Sequence, residues 1–129
     1  MEYHNITPRK LPPIPGHPCD RHSISEGTGL SVLSLNTYIL EPGDNLAAEY
    51  HYHEQREEAL IVENGPLFIE TPEKTYRVES NHVFVVEPKS PIRPYNPTSA
   101  DSTIEIIGVG APAYDIGHPY DPDKPTDFE

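Results

Sequence analysis

Three residues in the middle of the chain have the types and spacing of a metal-ligand set: His51, His53 and Glu58. Histidines at i and i+2 in an extended segment point to one face, because side chains alternate along a strand. Their segment reads Glu49-Tyr50-His51-Tyr52-His53, and the polar turn Glu54-Gln55-Arg56-Glu57 separates it from the apolar run Ala59-Leu60-Ile61-Val62. A hairpin at that turn brings Glu58 beside both imidazoles. Two neutral nitrogens and one carboxylate oxygen, with coordination positions left for water or substrate, suit a divalent transition metal. The same alternation turns Tyr50 and Tyr52 away from the site.

The elements that must position this set read as strands. Residues 30–40 are rich in strand formers and stop at Glu41-Pro42-Gly43-Asp44, a turn signal. Glu58 to Glu63 form the next strand, closed by Asn64-Gly65-Pro66, and Asn-Gly between strands predicts a two-residue hairpin. Leu67–Glu70, Thr75–Val78, Val83–Val86 and Thr103–Val109 follow, with turn residues between them and no helical period. This pattern predicts an all-β antiparallel sandwich or barrel. Five prolines between Pro8 and Pro18 make residues 1–29 an irregular, proline-rich arm, the barrel spans 30–110, and 111–129 form an acidic, proline-rich tail. His17, Cys19 and His22 lie in that arm, and we read them as a loop with solvated histidines and an odd thiol, not a metal site. His4 and His118 are likewise read as surface residues.

A length of 129 residues fits one domain. No apolar run approaches the roughly 20 residues needed to span a bilayer, and Met1–Lys10 lacks the apolar core of a signal peptide. A single cysteine suits a reducing interior, so the expected setting is cytoplasmic. Twenty-one acidic residues against nine basic ones give a net charge of −12. That balance disfavours nucleic acid and anionic membranes as partners. Self-repulsion of this kind is relieved by salt, which fits a halophilic microbe's high-salt cytosol.

Gly43, His51, His53, Glu58 and Gly65 together resemble the first motif of the cupins, small jelly-roll barrels built as a double-stranded β-helix. Four residues separate His53 from Glu58 and six separate Glu58 from Gly65, as in that family, whereas seven rather than five separate Gly43 from His51. The second motif is eroded: its opening glycine falls on His82, Pro88 matches, Ser90 replaces a glycine, Arg93 stands where the last histidine ligand belongs, and Asn96 is one residue early. The resemblance implies a cupin barrel over residues 30–110, holding iron, manganese, nickel, zinc or copper.

Three arrangements remain open at the level of sequence. In one, His51, His53 and Glu58 hold one divalent metal, and Arg93 clamps a small anionic metabolite through its planar fork, with Tyr95 sharing its parity at the mouth. In another, His82 adds a fourth ligand from the Val83–Val86 strand. In the third there is no metal, and the pocket is a binding module for a small organic anion. Sugar-phosphate isomerase or epimerase chemistry is a further alternative on such a fold, and fold alone does not choose the reaction. Free sheet edges and an apolar-dotted arm make a homodimer the expected assembly.

Overall fold

The computed structural model describes residues 1–124. Its elements in chain order are β1 (Asp20–Ser23), a short helix α1 (Ile24–Thr28), β2 (Ser34–Leu40), β3 (His51–Tyr52), β4 (Glu57–Asn64), β5 (Leu67–Glu70), β6 (Thr75–Val78), β7 (Val83–Val86), β8 (Arg93–Tyr95), β9 (Ile104–Ala111) and β10 (His118–Pro119). One sheet has the order β1-β2-β9-β4-β7, a second has β6-β5-β8, and β10 pairs with β3 as a third, two-stranded piece. All pairings are antiparallel. Among the described residues no helix is long and apolar enough to cross a membrane.

Period-two patterning sets which face is inside. Along β9 every second residue is buried, Ile104, Ile106, Gly108 and Gly110. Their partners across the ladder continue the same face, with Leu60 and Val62 on β4 and Asn36, Tyr38 and Leu40 on β2. Leu67 and Ile69 of β5 close the core from the opposite sheet, fully buried like Leu40, Val62, Ile104 and Ile106. Each such aliphatic side chain stabilises the fold by about 1.5–3 kcal/mol relative to exposure. Where Gly108 and Gly110 interrupt this packing, the interior opens instead of filling.

Two expected hairpins are absent. The histidine strand and the Glu58 strand do not pair: β3 joins β10, whereas β4 joins β7 and β9. Residues 54–56 therefore cross between sheets and set His53 opposite Glu58 through the barrel interior. Likewise β4 and β5 lie in different sheets, so Asn64-Gly65 is a corner, not a two-residue hairpin. A Cβ on Gly65 would stand 2.7 Å from Val62 Cγ1 and 3.1 Å from the Val78 carbonyl, so the glycine is needed for close approach. The Thr71–Lys74 turn does join a hairpin, β5 to β6.

Among the described residues, both flanks of the barrel carry more regular structure than their proline content suggests. Asp20–Ser23 is an edge strand on β2, followed by α1, which Ser23 caps by accepting from the Glu26 N–H (3.1 Å) and Gly29 ends at φ 76°. Past Ala111 the chain folds back across the barrel mouth as a strap, to β10 and the buried Tyr120. Residues 125–129 of the expected tail lie outside the described residues.

Candidate metal centre

β3 and the turn after it deliver the two imidazoles. His51 exchanges both backbone hydrogen bonds with Ile92, 3.1 Å and 2.9 Å, and the Lys89 N–H donates to the His53 carbonyl at 2.6 Å. The turn around Pro88 and Ser90 thus clamps the histidine segment from the side. Glu58 enters from β4, opposite Gly110 of β9 and Val86 of β7. One ligand atom from each of His51, His53 and Glu58 lies within 4.8 Å of the other two. The imidazoles meet edge to face at 5.2 Å, and His53 Nε2 is 3.9 Å from Glu58 Oε1. The structure brings together the three residues that spacing singled out.

These donors fit a divalent metal. His51 donates from Nδ1 to the Glu49 carbonyl at 2.9 Å, which fixes the tautomer and leaves the Nε2 lone pair for a ligand. Buried His53 has an Nδ1 with no hydrogen-bond partner among the described residues. Burial holds the His53 pKa below its ordinary value, helped by the charges of Arg56 and His51 and opposed by Glu58 and Asp115, so the ring is neutral as a ligand must be.

Arg56 stands at the rim of the cluster, and its role was not foreseen. Nε donates to the Pro112 carbonyl (3.1 Å) and Nη2 to those of Ala113 (2.7 Å) and Asp115 (2.9 Å), while Nη1 is 3.5 Å from His53 Nε2 and 3.8 Å from Glu58 Oε2. Asp115 Oδ2 in turn accepts from the N–H groups of Gln55 and Arg56, both at 2.7 Å. Arg56 therefore ties the strap to the ligand cluster. Gly110 makes this possible, because a Cβ there would lie 2.8 Å from Arg56 Cδ. Alternation carried the signal: Arg56 and Glu58 are i and i+2.

The other proposed ligand and substrate residues lie elsewhere. Arg93 is on β8 with Ile92 as its chain neighbour, and it is Ile92, paired with His51, whose side chain lines the cavity. Neighbouring residues on a strand face opposite ways, so Arg93 turns outward, where Nε meets Glu70 Oε1 at 2.7 Å and Nη1 meets Asn45 Oδ1 at 3.0 Å. Its guanidinium stacks over Tyr95, 4.2 Å from the ring centroid, and Tyr95 also packs on Phe68 outside the cavity. His82 is exposed and accepts through its carbonyl from Val62 N–H. It precedes Val83, the partner of Ile61, and so lies about 13 Å along the strand from Glu58's partner Val86.

A cavity of about 230 Å³ opens beside the cluster. Besides the three ligands it is lined by Arg56, Arg21, His17, Asn36 and Tyr38, and by apolar groups of Leu46, Leu60 and Ile92. His17, expected at the surface, donates from Nε2 to the Leu46 carbonyl at 2.7 Å. His22 is also buried, between the Leu11 carbonyl (2.8 Å) and Asp20 (3.0 Å), and His118 stacks on Tyr52 at 5.3 Å. Cys19 is buried, and burial together with Asp44 and Asp20 pushes its thiol up to about 12, so it is unreactive.

No protein-family model matches the chain, and no curated protein matches it. Solved structures do. The polyketide cyclase RemF from Streptomyces resistomycificus superposes with a TM-score of 0.74 at 14% identity, over 98% of this chain and 94% of that one. An uncharacterized double-stranded β-helix protein from Klebsiella pneumoniae gives 0.71 at 14% identity, over 91% and 96%. A cupin-superfamily sugar phosphate isomerase from Silicibacter pomeroyi gives 0.66 at 21% identity, over 78% of this chain but 66% of its own length. The chain spans 58% of an Acidithiobacillus ferrooxidans structure that it also matches. The fold is the double-stranded β-helix of the cupins, as the motif spacing implied.

Proposed function

We propose that this chain holds one divalent transition metal ion through His51, His53 and Glu58 and acts on a small anionic metabolite in the adjoining cavity. The observation that carries the reading is the convergence of three ligand atoms within 4.8 Å from two separate sheets. When bound, such a metal supplies Lewis-acid polarisation of a carbonyl or hydroxyl oxygen. The chain's own residues do the rest. Glu49 fixes the His51 tautomer, Arg56 orients Glu58 and closes the mouth with the strap, and the apolar wall of Leu46, Leu60 and Ile92 excludes water. Isomerisation and cyclisation are the chemistries named for two of the structural neighbours.

Elemental analysis of protein purified without chelator tests this. About one equivalent of metal is expected, lost in His51→Ala and in His53→Ala. A correctly folded, metal-free protein that gains none on dialysis against Zn²⁺, Mn²⁺ or Fe²⁺ would sink it. The second reading, a metal-free binding module, has one observation in its favour: Arg56 already offers Glu58 a cationic neighbour.

A further inference from the structure

The half of the cavity away from the metal ligands has a chemistry of its own. Arg21 enters it from β1, directly opposite Tyr38 on β2, and Asn36 shares that face two residues along. Asn36 Oδ1 accepts from Arg21 Nε at 3.0 Å, which fixes the plane of the guanidinium and leaves its two terminal nitrogens for a ligand. Tyr38 is a neutral phenol there, its pKa pushed up to about 12 by burial. It lines the same cavity as Arg21 and the metal-ligand set. A Cβ on Gly108 would lie 2.8 Å from Tyr38 Cε2, so the glycine is what lets the ring lie against β9.

Charge gives the sign of the ligand. In a chain of net charge −12 with nine basic residues, two arginines line this one cavity. Arg56 is spent on three carbonyls, so Arg21 is the cation with capacity to spare. Size narrows the choice: about 230 Å³ is room for roughly eight waters. With Arg56 so engaged, one guanidinium fork faces the ligand, and it matches the two oxygens of one carboxylate in bidentate fashion.

We propose that Arg21, with Tyr38 and Asn36, forms a carboxylate subsite, and that the cavity's ligand is a small organic acid whose carboxylate sits there. This deepens the functional reading above by naming the substrate class, and it places the anion anchor on β1 instead of Arg93.

The test is calorimetric titration of the full chain with succinate and with inorganic phosphate, in EDTA-stripped and in Zn²⁺-treated protein. Succinate is expected to bind in both states and more tightly than phosphate. Its affinity should fall at least tenfold in Arg21→Gln and severalfold in Tyr38→Phe, and should not change in Arg93→Gln. Circular dichroism melting checks that each variant folds; should Arg21→Gln not fold, Arg21→Lys keeps the charge, removes the fork and is expected to weaken succinate more than phosphate. No succinate binding, unchanged succinate affinity in the Arg21 variants, or a preference for phosphate each overturns the proposal. Zn²⁺ failing to bind while succinate still depends on Arg21 would remove the metal reading and leave the carboxylate subsite standing.

Discussion

His51 of β3 and Ile92, the residue before β8, face each other as a hydrogen-bonded pair, and both the first imidazole and the buried Ile92 side chain line the cavity. A histidine at Ile92 would point where Arg93 cannot.

Ile92→His is accordingly expected to add a nitrogen donor and to tighten metal binding about tenfold, close to 1.4 kcal/mol. Competition against a chelator of known affinity measures it. The substitution also buries a polar ring, at a cost of about 1–3 kcal/mol in the metal-free protein. Unchanged metal affinity would mean that Ile92 does not face the ligand cluster.

Arg93→Gln makes the complementary case. The Arg93–Glu70 pair is about a third exposed on each side, so solvent screening limits its value to roughly 0–1 kcal/mol. Urea denaturation should show that small loss, with metal content unaltered. Had Arg93 been the anchor, ligand binding would fall instead.

Sequence alone located the chemistry better than its surroundings. β5, β6 and β7 begin and end where turn residues and strand formers place them, and the His-x-His spacing with Glu58 marks real neighbours. Alternation gives the period of a strand but not its phase, and a slip of one residue put Arg93 where Ile92 sits. Long-range pairing was the other gap. Nothing local distinguishes a turn that reverses a strand within one sheet from one that carries it to another, as residues 54–56 and Asn64-Gly65 both do. Arg21 and His17 were hidden for the same reason, since proline density says where helices cannot form and not where an edge strand docks.

Arg56→Met should release the strap while leaving the barrel folded. It removes three charge-assisted hydrogen bonds to carbonyls, each worth about 1.5–3 kcal/mol when intact and partly recovered by water once the strap opens. Hydrogen exchange is expected to accelerate across residues 112–120 and to stay slow in β9. Gly110→Ala should produce a milder version by crowding Arg56 Cδ. Equal exchange in wild type and Arg56→Met would show that the strap is held by other contacts.

Stability should also depend on pH in a defined direction. Burial lowers the His17 pKa from 6.5, with Arg21 adding to it and the Leu46 carbonyl opposing, and burial lowers that of His53 as well. The unfolded chain therefore binds more protons than the folded one below about pH 6.5. Both contributions are present in full above that pH and are lost as pH falls through the folded values. The urea midpoint of EDTA-stripped protein should drop between pH 7.5 and 5, and by less in His17→Gln.

The charge of −12 predicts a salt response of the opposite kind from that of a salt-bridged surface. Screening relieves net self-repulsion, so the melting temperature should rise from low to molar KCl. A flat or falling profile would mean that the acidic side chains are already compensated locally.

Gly117 passes so near the ligand cluster that a methyl group on it would stand 3.2 Å from His51 Cδ2. The strap thus roofs the imidazoles from one end of the chain while β1 brings Arg21 into the same chamber from the other. Shortening this protein at either terminus, or fusing a bulky label close to those segments, would be felt first in what the chamber admits and only afterwards in whether the barrel folds.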